Sequence, residues 1–305
     1  MSARTCLAAA LAAFLALAAL PWLASDFLLS LALSCLMYVG LATSWAMFSG
    51  ATQYLSLATA AFFGIGAYVT AWGYATLGYA LAVPLGGLAA ALFAAFVGAA
   101  VLHLRGAYFA VLTFGLGELV RHAITYFEKS YARTVGRVIA DPPGSETVYL
   151  AVLAIAAVAV ATAAGVRASR FGLALAGIGA DEARAQTLGV NTRATKISGF
   201  ALAAFFAGAM GAAVAVRWTY IEPASVFNPF IGFQTVLIAM VGGAHTLVGP
   251  VASAVVFSIL TELLRLQFPY AYLIALGLLL IVLVLYLPRG IASLFENRAG
   301  RRAHA

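Results

Sequence analysis

Charge is what this 305-residue chain most lacks: Asp, Glu, Lys and Arg make up 9% of it, against about 25% in soluble domains. Lysine occurs only at Lys129 and Lys196, and no G-x-x-x-x-G-K-[ST] run is present, so any ATP hydrolysis is expected on another chain. The two cysteines, Cys6 and Cys35, both fall inside apolar runs, which excludes a disulfide framework and a CxxC metal or redox centre. The histidines at 103, 122, 245 and 304 show no metal-ligating spacing, and no serine has a histidine and an acid placed as a recognisable triad. Gly-rich stretches such as GIGA and GLGE lack a strand-turn-helix setting and read as helix-packing positions. No catalytic residue, no metal ligand set and no bound cofactor is expected.

Apolar residues fill the space instead. At 64% hydrophobic, the chain is far above the roughly 45–50% of soluble proteins and reads as an integral membrane protein. The net charge of +7 does not point to nucleic acid, because the basic residues sit at the ends of apolar runs, as membrane topology requires. The runs are rich in Ala, Leu and Gly without alternation, so they are expected to be helices rather than barrel strands. The fold class is therefore an all-α polytopic bundle, one transmembrane domain over 1–305. Ten spans are expected: 6–24, 27–48, 58–77, 79–102, 106–127, 148–166, 196–216, 230–243, 247–264 and 268–287. The first reads as a span rather than a cleaved secretory signal, since the remaining spans need it to keep the basic loops on one side.

With both termini cytoplasmic, the inner side collects Arg4, Arg105, Arg167, Arg170, Arg184, Arg193, Lys196, Arg289, Arg298, Arg301 and Arg302. The outer side keeps Lys129, Arg133, Arg137, Arg217 and Arg265, and 128–147 is its longest loop. Ten spans divide into two fives of opposite orientation, which makes an inverted-repeat architecture possible. The third segment of each half is interrupted: 50–77 by polar residues and Gly64-Ile65-Gly66, and 230–246 by Gly242-Gly243-Ala244-His245. Such interrupted segments at matching positions point to a transport path. Gln53, Ser56, Thr59, Gly64, Gly66, Gln234, Thr235, Gly242, Gly243 and His245 are the path candidates. Glu118 and Arg121, three residues apart inside a span, are expected to neutralise each other as an intramembrane pair.

The longest inner loop, 169–196, holds Arg170, Asp181, Glu182, Arg184, Arg193 and Lys196, and its charges are expected in water. Gly177 and Gly179 are expected to loosen the chain, and a helix of roughly ten residues is expected to follow, with Asp181 and Glu182 in its first turn and Gly189 at its end. Ala180, Ala183 and Leu188 would give it a small apolar face suited to a cleft on a partner.

GADEARAQTLGV resembles the EAA-type cytoplasmic loop of ABC importer permeases, and the chain from about Gly50 to Phe295 is similar to the LivM-type permeases of branched-chain amino acid importers. The likeness rests on YLSLATAAFFGIGAYVTA (54–71), LRGAYFAVLTFGLGELVR (104–121), the stretch 169–212, VGGAHTLVGP (241–250) and LPRGIASLF (287–295), all in the family's order. It implies a bacterial inner-membrane permease that works with a second, LivH-like permease subunit, two cytoplasmic ABC ATPase subunits and a periplasmic substrate-binding protein. It also implies ATPase coupling through Asp181, Glu182, Ala183, Arg184 and Gly189. The chain departs from the family pattern at Ala58-Thr59 and at His245. An ion- or proton-driven carrier without ATPase partners is the alternative.

Overall fold

The computed structural model describes residues 25–218 and 220–268, with 14, 16–23, 274 and 277. The expected spans 6–24 and 268–287, the stretch 287–295 and both chain ends thus lie wholly or largely outside the described residues. The elements in order are α1 (Leu20–Leu23), α2 (Asp26–Trp45), α3 (Thr59–Val101), α4 (Ala107–Phe127), β1 (Arg137–Val138), α5 (Ser145–Ala168), α6 (Arg170–Ala180), α7 (Glu182–Thr187), α8 (Thr192–Ala215), β2 (Tyr220–Ile221), α9 (Pro223–Val226), α10 (Pro229–Gly242) and α11 (Val248–Gln267). The fold is all-α apart from the two-residue strands β1 and β2, which pair antiparallel.

Six helical segments among the described residues are long and apolar enough to cross a membrane: Asp26–Gly50, Thr59–Val101, Ser145–Ala168, Thr192–Ala215, Pro223–Gly242 and Val248–Gln267. Helix α4, with Glu118, Arg121 and His122 in 21 residues, does not reach that threshold. Helix α3 covers two of the expected spans in 43 residues and breaks at Gly78 (φ 70°, ψ 167°), between 58–77 and 79–102. Two points twenty residues apart on a straight helix are about 30 Å apart. Here a β-carbon built on Gly86 would lie 3.1 Å from the Gly66 carbonyl oxygen, so the chain folds back on itself at Gly78.

Both limbs of α3 press on α8 through small residues. A β-carbon would fall 1.8 Å from the Gly208 carbonyl oxygen if built on Gly66, and 1.9 Å from the Phe63 carbonyl oxygen if built on Gly211. Ala82, Gly86, Ala90, Ala94 and Gly98 recur every fourth residue on the second limb, and Ala204, Gly208 and Ala212 do the same on α8. Lipid tails supply no hydrophobic force between helices, so close backbone approach along such small-residue rows is what holds them together. Gly64 and Gly66 are therefore packing positions in an unbroken helix, with Gly64 against the Phe227 ring, and the expected interruption there does not occur. The interruption lies earlier. After α2 the chain forms a π-turn at Ala46–Gly50, then runs without helix from 53 to 57, starting with Gln53 in the left-handed region (φ 61°).

The contacts sort into two ends. One end gathers the 50–57 segment, the α3–α4 turn, α6, α7 and the 243–247 turn; Arg193 there donates to Ala99 O at 3.4 Å. The other end gathers β1, β2 and the loop at 128–144, where Glu128, 1% exposed, accepts from Gly136 N at 2.8 Å and Tyr68 Oη at 3.3 Å. That loop is not wholly irregular: it opens with a π-turn at Glu128–Ala132, and β1 ties it to β2.

Candidate functional site

The coupling stretch folds as two helices rather than one of about ten residues. Ser169 caps α6 by accepting from Gly172 N, and the helix runs through Gly177 and Gly179 to Ala180. Gly179 is needed for closeness, not looseness, because a β-carbon there would sit 2.2 Å from the Ala51 carbonyl oxygen. Asp181, extended, then caps α7 by accepting from Ala183 N and Arg184 N at 2.9 and 3.1 Å. Helix α7 ends in a Schellman arrangement: Val190 N donates to Ala185 O at 3.1 Å, Gly189 N to Gln186 O at 3.0 Å, and Gly189 takes φ 84°. Replacing Asp181 with alanine removes the cap and is expected to cost about 1 kcal/mol of stability, read as a lowered melting temperature in detergent.

Its first residue does not face water. Glu182 is 8% exposed and its carboxylate is ringed by partners from three distant segments. Lys196 Nζ of α8 lies 2.7 Å from Oε1, Arg105 of the α3–α4 turn 2.8 Å from Oε2, and Tyr54 Oη donates to Oε2 at 2.8 Å. Lys196, 6% exposed, also donates to Tyr54 Oη at 3.0 Å and to Leu102 O at 2.7 Å. Its Nζ stands 4.7 Å from the Tyr54 ring centroid. The expectation that these charges sit in water is thereby corrected for Glu182 and Lys196: each lies inside because the other satisfies it. Burial acts to raise the Glu182 pKa, but the hydrogen bonds from Lys196 and Tyr54 and the charges of Lys196 and Arg105 outweigh it. The carboxyl is held below the ordinary glutamate range. Ala183, Arg184, Thr187, Leu188 and Gly189 face outward, with Arg184 at 86% and Leu188 at 84% exposure.

The path candidates do not come together as one set. Gln53 and His245 meet, Nε2 to Nε2 at 3.4 Å, beside a cavity of about 660 Å³ between the end of α2, α6 and the 243–247 turn. Arg167, which also lines it, donates to the carbonyl oxygens of Ala244, His245 and Thr246 at 3.2, 2.8 and 2.8 Å and so fixes the turn. Ser56 and Thr59 line a separate void of about 20 Å³ with Ser44, Trp45 and Ser49, enough for one water. Ser49 Oγ is buried there without a hydrogen-bond partner. Gln234 is engaged in the interior by Tyr38, whose Oη donates to Oε1 at 2.8 Å, and Thr235 bonds back to Ile231 O. Gly242 abuts the Gly249 backbone, and Gly243 (φ 89°) ends α10. Glu118 and Arg121 do pair, at 2.5 Å, with His122 3.8 Å from the same carboxylate. Among the described residues no group of three His, Cys, Asp or Glu could hold a metal.

Sequence reading missed Tyr54, Arg105 and Lys196 as partners of Glu182. The one available signal was the placement of two basic residues at inner span ends next to an acidic helix start.

Residues 27–286 match the family described as branched-chain amino acid transport system / permease component. The chain is 27% identical to the high-affinity branched-chain amino acid transport system permease protein LivM of Escherichia coli (strain K12), over 92% of this chain and 74% of that protein. It is 27% identical to the LivM protein of Salmonella typhimurium (strain LT2), over 89% of this chain and 71% of that one. No solved structure matches. The relatives are transport subunits and not enzymes, and the match spans nearly all the described helices. The chain belongs to the family of branched-chain amino acid transport system permease components.

Proposed function

We propose that the chain is the membrane-spanning permease subunit of an ATP-driven importer for branched-chain or related amino acids, and that the outer face of α7 is its contact with an ATPase subunit. The full assembly would hold this chain, a second LivH-like permease, two ATPase chains and a periplasmic binding protein, in the inner membrane of a bacterium with both termini cytoplasmic. Ten spans in two inverted halves remain the architecture proposed for the complete chain.

The observation that carries this reading is the build of α7. Capped at both ends and gripped from behind by a buried ion network, it presents Ala183, Arg184, Thr187 and Leu188 to the exterior. In this reading Leu188, 84% exposed at the C-cap of the six-residue helix, is the knob that enters a groove on the ATPase subunit. Leu188→Asp is expected to leave the melting temperature nearly unchanged, since exposed substitutions stay within about 0.5 kcal/mol. Uptake into proteoliposomes should fall at least about tenfold, and co-purification with the ATPase should weaken, if the knob is worth the roughly 1.5–3 kcal/mol of a buried leucine. Uptake that persists without nucleotide or ATPase chains would instead establish the carrier.

A further inference from the structure

Tyr54 joins the non-helical stretch that follows α2 to both α7 and α8. Its backbone belongs to the non-helical stretch 53–57, which begins with one last helical bond, from Gln53 N to Ser49 O at 3.0 Å. Its side chain, on a residue 7% exposed, is held between α7 and α8 by the bonds to Glu182 Oε2 and Lys196 Nζ. Farther along, the stretch is pegged twice: Trp45 Nε1 donates to Ser56 O at 2.8 Å, and Leu57 N donates to Thr113 Oγ1 at 3.0 Å. The end of the stretch is fixed to the bundle, while its beginning is held by the Gln53 N bond to Ser49 O at 3.0 Å and, through Tyr54, by α7 and α8.

That beginning is Gln53, one lip of the 660 Å³ cavity. The facing lip, His245, is anchored differently, through the three carbonyl bonds from Arg167 at the end of α5. The α7 position is thus linked through Glu182 and Tyr54 to the residue beside Gln53, whereas the His245 turn is held by α5. Helix α6 moves the same lip, because Gly179 lies against the Ala51 carbonyl. The lips thus have different side-chain anchors, while the segments that carry them touch where Gly50 abuts the Ala244 backbone, and coupling between distant sites requires such an element to hold two discrete arrangements.

We propose that Tyr54 is a positioning residue that ties the Gln53–His245 contact to the place of α7, so that movement of the short helix parts or joins the lips of the inner cavity. This rests on the reading of α7 as the ATPase contact.

The test uses the full complex in proteoliposomes. In a background with Cys6 and Cys35 replaced by serine, Gln53→Cys and His245→Cys together are bridged by a short thiosulfonate cross-linker, with and without ATP plus vanadate. The yield is expected to differ about tenfold between the two conditions, and Tyr54→Phe is expected to abolish that difference. With the native lips retained, Tyr54→Phe, which loses the bonds to both Glu182 and Lys196, should lower uptake by at least about tenfold, the worth of one hydrogen bond to a charged group. Assembly and ATP hydrolysis should stay close to the parent's, because the Glu182–Lys196 and Glu182–Arg105 ion pairs remain. A merely structural tyrosine would lower assembly and hydrolysis along with uptake, and that pattern overturns the proposal. So does a Tyr54→Phe complex whose cross-linking responds to nucleotide like the parent's. A parent chain that neither binds ATPase subunits nor needs nucleotide overturns the importer reading itself, and this inference with it.

Discussion

Glu182→Leu is expected to destabilise the chain by about 3–5 kcal/mol, the cost of stripping one partner from a buried ion pair. Lys196 would be left 6% exposed with only the Tyr54 hydroxyl and the Leu102 carbonyl, and its charge would have no counter-ion at the bottom of α8. The measurement is a melting curve in detergent, with folded yield after size exclusion as a second reading. Glu182→Leu combined with Lys196→Met should recover much of the loss, because apolar replacement of a whole buried pair is often neutral or stabilising. If the single variant melts with the parent, Glu182 is not the internal anchor described above. The same pair gives a pH dependence. The Glu182 pKa is lowered on folding, so its contribution is complete above the ordinary glutamate value of about 4.3 and is lost as pH falls below it. The double variant should lack that acid-side loss.

Gly66→Ala is the second large effect. The added methyl would sit 1.8 Å from the Gly208 carbonyl oxygen and 2.8 Å from its α-carbon, and neither is the end of a flexible side chain that could turn aside. The two helices would have to separate along the whole row of small residues. Overpacking commonly costs about 1–3 kcal/mol, and a backbone obstacle puts this case at or above the top of that range. Gly211→Ala, 1.9 Å from the Phe63 carbonyl, should behave alike. Gly115→Ala is the matched control: nothing lies within 4 Å of the new methyl, and helix propensity favours alanine by about 0.8–1.0 kcal/mol. Equal melting temperatures for Gly66→Ala and Gly115→Ala would mean that α3 and α8 do not pack as described.

Much of this was legible in the sequence where the signal is local. The boundary placed between 77 and 79 falls on Gly78, because an uninterrupted apolar run of 43 residues is about twice the length that one span needs and must turn near its middle. Gly189 reads correctly as the end of α7, and Asp181, expected in the first turn, caps it from one residue outside, since capping depends on residues within one turn. What failed was non-local. A glutamate and a lysine in a polar loop look alike whether solvated or buried, and nothing in their spacing reveals that Tyr54, 128 residues before Glu182, reaches the same carboxylate. The glycines went wrong for a related reason. Gly64, Gly66, Gly177 and Gly179 were read as breaks or loosened chain, yet all four lie within helices, where Gly64, Gly66 and Gly179 make room for a neighbour the sequence does not name. Gln53 and His245 were chosen as separate polar interruptions of two segments, and the structure brings them within 3.4 Å, though it sets the other path candidates elsewhere.

The reversal at Gly78 bears on how the protein is made. Its two limbs, 43 residues in all, contain no Asp, Glu, Lys or Arg, and no loop separates them. Flanking Lys and Arg set the direction in which a nascent span threads the bilayer, and this pair has none at its tip. The limbs would then enter the translocon's lateral exit as one hairpin, and neighbouring segments must dictate which way it points. A lysine inserted beside Gly78 would give the ribosome-bound chain a topological instruction that it normally does without.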